Sequence, residues 1–293
     1  MHPLAEIAAS AFGRTPQTEL PVTDSFGSEV LRFVDADGHQ YVVKRPWSRP
    51  KAVKEARALT RLVDHPRVPR LLGVHERGEH AYLLLEGLEA TPWSDIEGAS
   101  EELVREVGRA VRKIHDLPEE SFEGRPRWHA LLGSNAHRYR ELVRTRPADA
   151  RLAADALDLL QDQLTHVPNS NEAVLVHFDL RPGNILVHDG RLVGIIDFES
   201  CRGGHPSMDL FKIWQQVWAR RPVTRDWFMA GYTRDDDAAG WAHSTDLDRL
   251  MQTYALYHGL AGLAWCEKRG QIDGPFATVN RELIDDARRF FGC

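Results

Sequence analysis

His177-Phe178-Asp179-Leu180-Arg181-Pro182-Gly183-Asn184-Ile185-Leu186-Val187, followed by Ile195-Ile196-Asp197-Phe198-Glu199, is the stretch on which the fold of this chain turns. An aspartate in a polar loop is followed five residues on by an asparagine, and thirteen residues later by a second aspartate. Between them lie two short strand-like runs, residues 184–187 and 192–196, separated by Asp189-Gly190. Asp-Gly suits a hairpin because both central positions of the favoured tight turn need positive φ. The hairpin predicts that Asp179, Asn184 and Asp197 meet at one end of a small sheet. Two carboxylates and an amide oxygen are the ligands a hard divalent cation prefers. Phosphoryl transfer asks for such ions and a positioned hydroxyl, with little covalent help from the protein. On this reading Asp179 takes the proton of an acceptor hydroxyl, Asn184 holds a Mg²⁺ and Asp197 bridges the metals. His177 reads as a packed, hydrogen-bonded support, and Arg181 suits either a γ-phosphate contact or a surface charge.

Working outward, residues 30–34 and 40–44 are β-branched and aromatic runs joined by Asp35-Ala36-Asp37-Gly38, a second hairpin signal. Residues 51–63 follow as a helix, with Val53, Ala56, Leu59, Leu62 and Val63 at helical spacing and Glu55 near its start. Residues 71–74 and 81–85 read as two more strands, and residues 4–12 as a short leading helix. Beyond residue 90 the pattern changes to helices, at 101–115, 128–144, 151–166, 207–219, 246–268 and 279–291. The whole predicts an α+β fold of two lobes. Residues 1–88 form a nucleotide-binding lobe with a small antiparallel sheet, and residues 89–293 a mainly helical lobe for catalysis and substrate. The length of 293 residues agrees, since single cores stop growing at roughly 250–300 residues.

With these residues in view, the sequence resembles the aminoglycoside phosphotransferase family, within the protein-kinase-like fold. The resemblance is carried by Asp179, Asn184 and Asp197, and extends to Gly204-His205-Pro206-Ser207-Met208-Asp209-Leu210, where the family commonly has Gly-Asp-Pro-x-x-Asp-Leu. It implies that Asp209 braces the catalytic loop, and His205 departs from the usual acid. It also implies ATP as donor, with GTP as the alternative, and Mg²⁺ as the metal. Lys44 then looks like the strand lysine that pairs nucleotide phosphates, and Glu55 like the helix acid that orients it. The backbone of Phe26, Gly27 and Ser28 would turn over the phosphates, and Glu86-Gly87-Leu88 resembles the hinge that meets adenine. A protein kinase is disfavoured, because only twelve residues separate Asp197 from Asp209 and leave no room for an activation segment. A non-catalytic nucleotide-binding protein would have lost the base or a metal ligand, and all are present. Glu199 stands where protein kinases have Gly, but an acid there is familiar in the resembled family.

Composition narrows the partners. A formal net charge of −6 argues against a general nucleic-acid binder, which needs a basic stripe. No apolar run approaches the ~18 residues of a membrane span, and the three cysteines, Cys201, Cys266 and Cys293, are too few and too scattered for a disulfide framework. A cytoplasmic protein without membrane contact is expected; the sequence indicates no oligomeric state. Basic charge is carried by 31 Arg against 6 Lys, which makes each lysine conspicuous. From residue 226 onward 11 Asp and Glu face 7 Lys and Arg, tilting the expected substrate toward a cationic small molecule. An aminoglycoside or a cationic peptide of capreomycin or viomycin type fits, held by Asp235, Asp236, Asp237 or Glu267 and by the rings of Trp214 or Tyr257. Aromatics at helical spacing are more often core, so these rings have a packing alternative. A macrolide, homoserine, methylthioribose or another sugar-like metabolite is the other substrate class.

Overall fold

Asp35-Ala36-Asp37-Gly38 makes the turn its chemistry asks for. The computed structural model describes residues 2–22, 27–118, 128–168, 173–233 and 246–293. In it β2 (Glu29–Val34) and β3 (Gln40–Arg45) pair antiparallel from Glu29↔Arg45 to Val34↔Gln40. Gly38 takes φ 81°, and Asp35 Oδ1 accepts the N–H groups of Asp37 and His39, each at 3.0 Å. The inward positions Leu31, Phe33, Tyr41 and Val43 pack under helix α1 (Pro3–Phe12) through Leu4 and Ile7. Three further strands complete a five-stranded sheet in the order β1-β2-β3-β5-β4, with β1 at Thr18–Leu20, β4 at Leu71–Arg77 and β5 at His80–Glu86.

Helix α2 (Arg49–Arg61) forms, and of the positions expected inward Leu59 and Leu62 are buried, whereas Val53 and Val63 are not. Val53 and Val63 are 55% and 58% exposed, while Ala52, Glu55, Ala58 and Leu59 are buried. The carboxylate of Glu55 faces inward and reaches Lys44 on β3, where either charge alone would be costly to bury.

The hairpin of the opening stretch is also present. In a three-stranded sheet ordered β6-β8-β9, β8 (Ile185–His188) and β9 (Arg191–Ile195) are joined by Asp189 and Gly190 at φ 48° and 70°. Beside it β7 (Val174–Val176) pairs with β10 (Arg202–Gly204). The strands β6 (Thr91–Pro92) and β10 are too short to show an alternation and gave no sequence signal. Helix α3 (Glu101–His115) is capped by Ser100, whose side chain accepts the N–H of Leu103, and its first turn holds Glu101 and Glu102 where the helix dipole favours acids. Helix α6 (Ser207–Ile213) runs into one π-helical turn, Trp214–Trp218. Helix α7 (Val223–Tyr232), which the sequence reading left out, packs on α3 where Gly108 and Gly231 sit; a Cβ at either would strike the backbone of the other helix.

These elements belong to one compact unit, residues 1–119 with 174–234. The lobe boundary expected at residue 88 lies inside it. Residues 120–173 and 235–293 make a second unit, containing α4 (Trp128–Leu142), α5 (Pro147–Gln163), α8 (Asp246–Lys268) and α9 (Pro275–Phe291). Its core includes Leu132, Leu160, Met251, Tyr254 and Leu260, and Arg281 pairs with buried Asp149 at 2.7 Å. Helices α5 and α9 begin four residues earlier than expected, each with proline in the first turn, where a missing N–H costs nothing. Among the described residues no helix is long and apolar enough to cross a membrane.

Candidate active site

The loop that carries Asp179 leaves β7 at Val176 and is held by Asp209 of α6. Asp209 Oδ2 accepts the backbone N–H of His177 at 2.7 Å, and Oδ1 that of Phe178 at 2.6 Å. His115 Nε2 donates to the same Oδ2 at 3.0 Å, while its Nδ1 accepts from the Tyr232 hydroxyl at 2.8 Å. These bonds hold Phe178 at φ 67°, a left-handed conformation that bulky residues rarely adopt. His177 ties the loop to the chain just before Asp197: Nε2 donates to the carbonyl of Ile196 at 2.8 Å, and Nδ1 accepts the N–H of Asp179 at 3.2 Å. Asn184 Nδ2 donates to the Asp179 carbonyl at 2.8 Å and to Asp179 Oδ2 at 3.2 Å. The Asn184 carbonyl in turn accepts from Ile196 N–H at 2.9 Å, which fixes Asn184 one residue away from Asp197.

His205, which replaces the usual acid, has a local duty. Its Nδ1 bonds the Ser207 hydroxyl at 2.6 Å and accepts the Ser207 N–H at 3.3 Å, as a capping carboxylate would at the start of α6. Burial, aided by the nearby His115, lowers its pKa to about 4, so it is neutral near pH 7.

On the other side of Asp197 the structure gathers charges from β3, α2 and the turn after β9. Lys44 Nζ lies 2.7 Å from Glu55 Oε2, 2.6 Å from Asp197 Oδ1 and 3.4 Å from Glu199 Oε2. Burial alone would lower the pKa of Lys44, but the carboxylates of Glu55, Asp197 and Glu199 more than reverse this and raise it, keeping the ammonium charged. Glu199 also accepts from Lys51 Nζ at 2.6 Å and from Ser28 Oγ at 2.5 Å. Burial pushes the Glu199 carboxyl up, yet Lys44, Lys51 and Ser28 bring it below its ordinary value. Asp197 itself sits at φ 71° and its side chain stays 31% exposed. The oxygens of Asp197 and Asn184, whose amide nitrogen is spent on Asp179, form a donor set that fits a hard dication.

Lys212 was missed by the sequence reading. It lies one helical turn after Asp209, and its ammonium is hydrogen-bonded to Asp179 Oδ1. Burial would raise the Asp179 carboxyl, but Lys212, followed by His177 and Arg181, holds it below the usual carboxylate range. Arg181 Nε lies 3.6 Å from Asp179 Oδ2, and its guanidinium folds over Gly183, where a Cβ would collide with it. Two signals pointed to Lys212: the scarcity of lysine and the i, i+3 spacing from Asp209, which puts both on one helix face.

The remaining expected residues are dispersed. Phe26 and the acidic run Asp235, Asp236 and Asp237 lie outside the described residues. At Gly27 a Cβ would meet only the Trp47 ring, at 3.8 Å. The Glu86 carboxylate pairs with Arg70 at 3.3 Å, and the Leu88 carbonyl accepts from Arg32 at 3.1 Å. The Leu88 N–H has no partner among the described residues. Trp214 is half-buried against Phe211 in the first unit. In the second unit Tyr257 is buried, its hydroxyl accepting from Asn135 at 3.4 Å. Glu267 Oε1, also in the second unit, accepts the N–H groups of Arg144 and Thr145 at 3.1 and 2.6 Å.

A lysine–glutamate pair beneath a small antiparallel sheet, joined through a β-hairpin to a loop that presents an aspartate and an asparagine, is the arrangement of a kinase-like phosphotransferase. The model of the phosphotransferase enzyme family matches residues 19–247, and the chain belongs to that family. Solved structures agree in fold. A thermostable mutant of aminoglycoside phosphotransferase APH(4)-Ia, in ternary complex with ADP and hygromycin B, aligns with a TM-score of 0.72 over 98% of both chains at 16% identity. Macrolide 2'-phosphotransferase MphH from Brachybacterium faecium aligns with a TM-score of 0.63 at 21% identity, over 97% of this chain and 96% of its own. Spectinomycin phosphotransferase APH(9)-Ia, in complex with ADP and spectinomycin, gives 0.64 at 13% identity, over 97% of this chain and 93% of its own. No curated protein sequence matches the chain significantly.

Proposed function

We propose that this phosphotransferase moves the γ-phosphoryl group of ATP onto a hydroxyl of an antibiotic, an aminoglycoside or a cationic peptide of capreomycin or viomycin type. The observation that carries it is the linkage of Asp179 to Asn184, and of Asn184 through Ile196 to Asp197, with charged Lys44 on Asp197. Asp179 receives the hydroxyl proton. Asn184 and Asp197 hold Mg²⁺, which offsets phosphate charge when bound. Lys44, oriented by Glu55, meets the nucleotide phosphates beneath the backbone of residues 26–28. The free N–H of Leu88 suits the adenine edge, with the strand end at Glu86 beside it. The antibiotic class is supported by structures alike over nearly the whole chain whose names specify aminoglycoside, macrolide or spectinomycin phosphotransferases. The acid excess after residue 226 supports a cationic member of that class.

The test is a phosphate-transfer screen of purified protein with Mg²⁺-ATP and Mg²⁺-GTP, against aminoglycosides, capreomycin-type peptides, macrolides, homoserine and methylthioribose. A cationic acceptor should show a Michaelis constant that rises with salt, as charges more than a Debye length of about 8–10 Å apart are screened. Efficient phosphorylation of a neutral metabolite with every antibiotic untouched would leave the kinase and remove the antibiotic.

A further inference from the structure

Of six lysines in a chain with 31 arginines, three end on carboxylates of the site: Lys44 on Asp197, Lys51 on Glu199 and Lys212 on Asp179. The first two lie on the nucleotide side. Lys212 lies with the base. We propose that Lys212 acts in the transfer itself: its ammonium, anchored on Asp179 Oδ1, contacts the oxygens of the phosphoryl group as that group passes to the acceptor hydroxyl. This rests on Asp179 being the base.

The geometry leads there in three steps. An acceptor oxygen that gives its proton to Asp179 must lie within hydrogen-bond reach of the carboxylate, about 2.6–3.2 Å. Lys212 Nζ is itself hydrogen-bonded to that carboxylate, so it stands roughly two hydrogen-bond lengths, about 5–6 Å, from the acceptor oxygen. The phosphorus in flight is a further ~3–3.5 Å from that oxygen, and its equatorial oxygens fall within the swing of a lysine side chain. An ammonium has three donors, and among the described residues Asp179 is the one hydrogen-bonding partner of Lys212. Two donors remain, on a side chain that is 27% exposed.

The support is rigid where it has to be. Asp209, one turn earlier on α6, is buried and accepts three hydrogen bonds, so the helix is pinned to the loop that carries the base. Two residues after Lys212 the helix widens into the π-helical turn Trp214–Trp218, a distortion frequent at functional sites. Arg181, the other cation near Asp179, is folded along its own loop over Gly183. Lysine suits the task better than arginine, because a compact ammonium can change partners while a planar fork favours one bidentate partner.

In the step itself a bond forms between the acceptor oxygen and the γ-phosphorus. The bond from that phosphorus to the β–γ bridging oxygen breaks, its electron pair leaving with ADP. The hydroxyl proton goes to Asp179, and Lys212 donates hydrogen bonds throughout without giving up a proton.

The experiment uses the full chain with Lys212→Met and Lys212→Arg, folding being checked by thermal melting. Calorimetry measures binding of ADP–Mg²⁺ with and without aluminium fluoride, a planar mimic of the phosphoryl group in transfer. Turnover is followed with the acceptor from the screen, or with water. In Lys212→Met, ADP–Mg²⁺ affinity should stay within about threefold of wild type while the fluoride complex and kcat fall about 10²- to 10³-fold, the loss typical of one transition-state donor. Lys212→Arg should restore part of both. Wild-type kcat and fluoride binding in Lys212→Met would overturn the proposal. Equal loss of ADP–Mg²⁺ and of the fluoride complex would also overturn it, by making Lys212 structural. Wild-type protein that binds no ADP–Mg²⁺ would instead strike at the nucleotide-dependent function.

Discussion

Around Lys44 the carboxylates of Glu55, Asp197 and Glu199 converge on two ammonium groups, those of Lys44 and Lys51, whereas around Asp179 one carboxylate is bracketed by Lys212 and Arg181. Formal charges are three against two on the first side, leaving one negative, and one against two on the second, leaving one positive. The two sides are joined by backbone through Asn184 and Ile196. Under the proposed function the negative excess suits a bound Mg²⁺ and the positive excess the phosphoryl group in transfer, since unpaired charge is costly where water is excluded.

The largest test of this division is Asp179→Asn. It removes the base while keeping shape, and kcat should fall about 10²- to 10⁴-fold with ADP–Mg²⁺ affinity unchanged by calorimetry. Wild-type turnover would end the acceptor-side assignment. Acid should next loosen the acceptor side through His205 at the start of α6. Its folded pKa of about 4 lies below the ordinary histidine value of 6.5, so an unfolded chain takes up the proton first as pH falls. The stabilisation is therefore complete above pH 6.5 and lost between pH 6.5 and 4, up to about 3 kcal/mol. Denaturant melts at pH 7 and 4.5 should show a smaller loss in His205→Asn, which keeps a capping acceptor but does not titrate.

Asp197→Asn addresses the nucleotide side, and Mg²⁺-nucleotide affinity should drop about tenfold or more with loss of a charged oxygen ligand, while metal-free nucleotide binding changes little. Equal affinities with and without Mg²⁺ would show the metal role to be misplaced. The smallest effect is expected for Lys51→Met. Lys51 is partly exposed, and losing its pairing with Glu199 should cost under about 1 kcal/mol of stability, as for other exposed ion pairs. A larger loss in urea melts would mean that the negative excess around Lys44 is held much more tightly than the geometry indicates.

The sequence made the fold legible where local chemistry is strong. Both Asp-Gly turns and the strands beside them are in place, and α3 and α8 match their expected spans. That Asp179, Asn184 and Asp197 come together was legible because one loop and one hairpin carry them. Lys212 was not, because its partner Asp179 is 33 residues away and the two meet only through the docking of α6. On α2 Leu59 and Leu62 are buried as expected but Val53 and Val63 are not, and the inward charge of Glu55, paired with a strand residue, is a long-range contact that apolar spacing does not show. Tyr257 is buried in the second unit, the packing alternative that its helical spacing offered, whereas the hydrogen bonds that Glu267 accepts from Arg144 and Thr145 had no signal in the sequence.

Asp197 keeps a left-handed backbone at φ 71°, which narrows how this position can drift between generations. Asparagine tolerates that conformation about as well as aspartate, while β-branched and longer residues do not. The change from Asp to Asn needs a single base, keeps the polypeptide's shape and abolishes its charge. Gene copies that decay by this route would still yield well-folded, well-expressed protein. On the proposed metal role of Asp197, surveys that score such genes by intact reading frame or thermal stability would count them as active, and a metal-dependent readout would tell them apart.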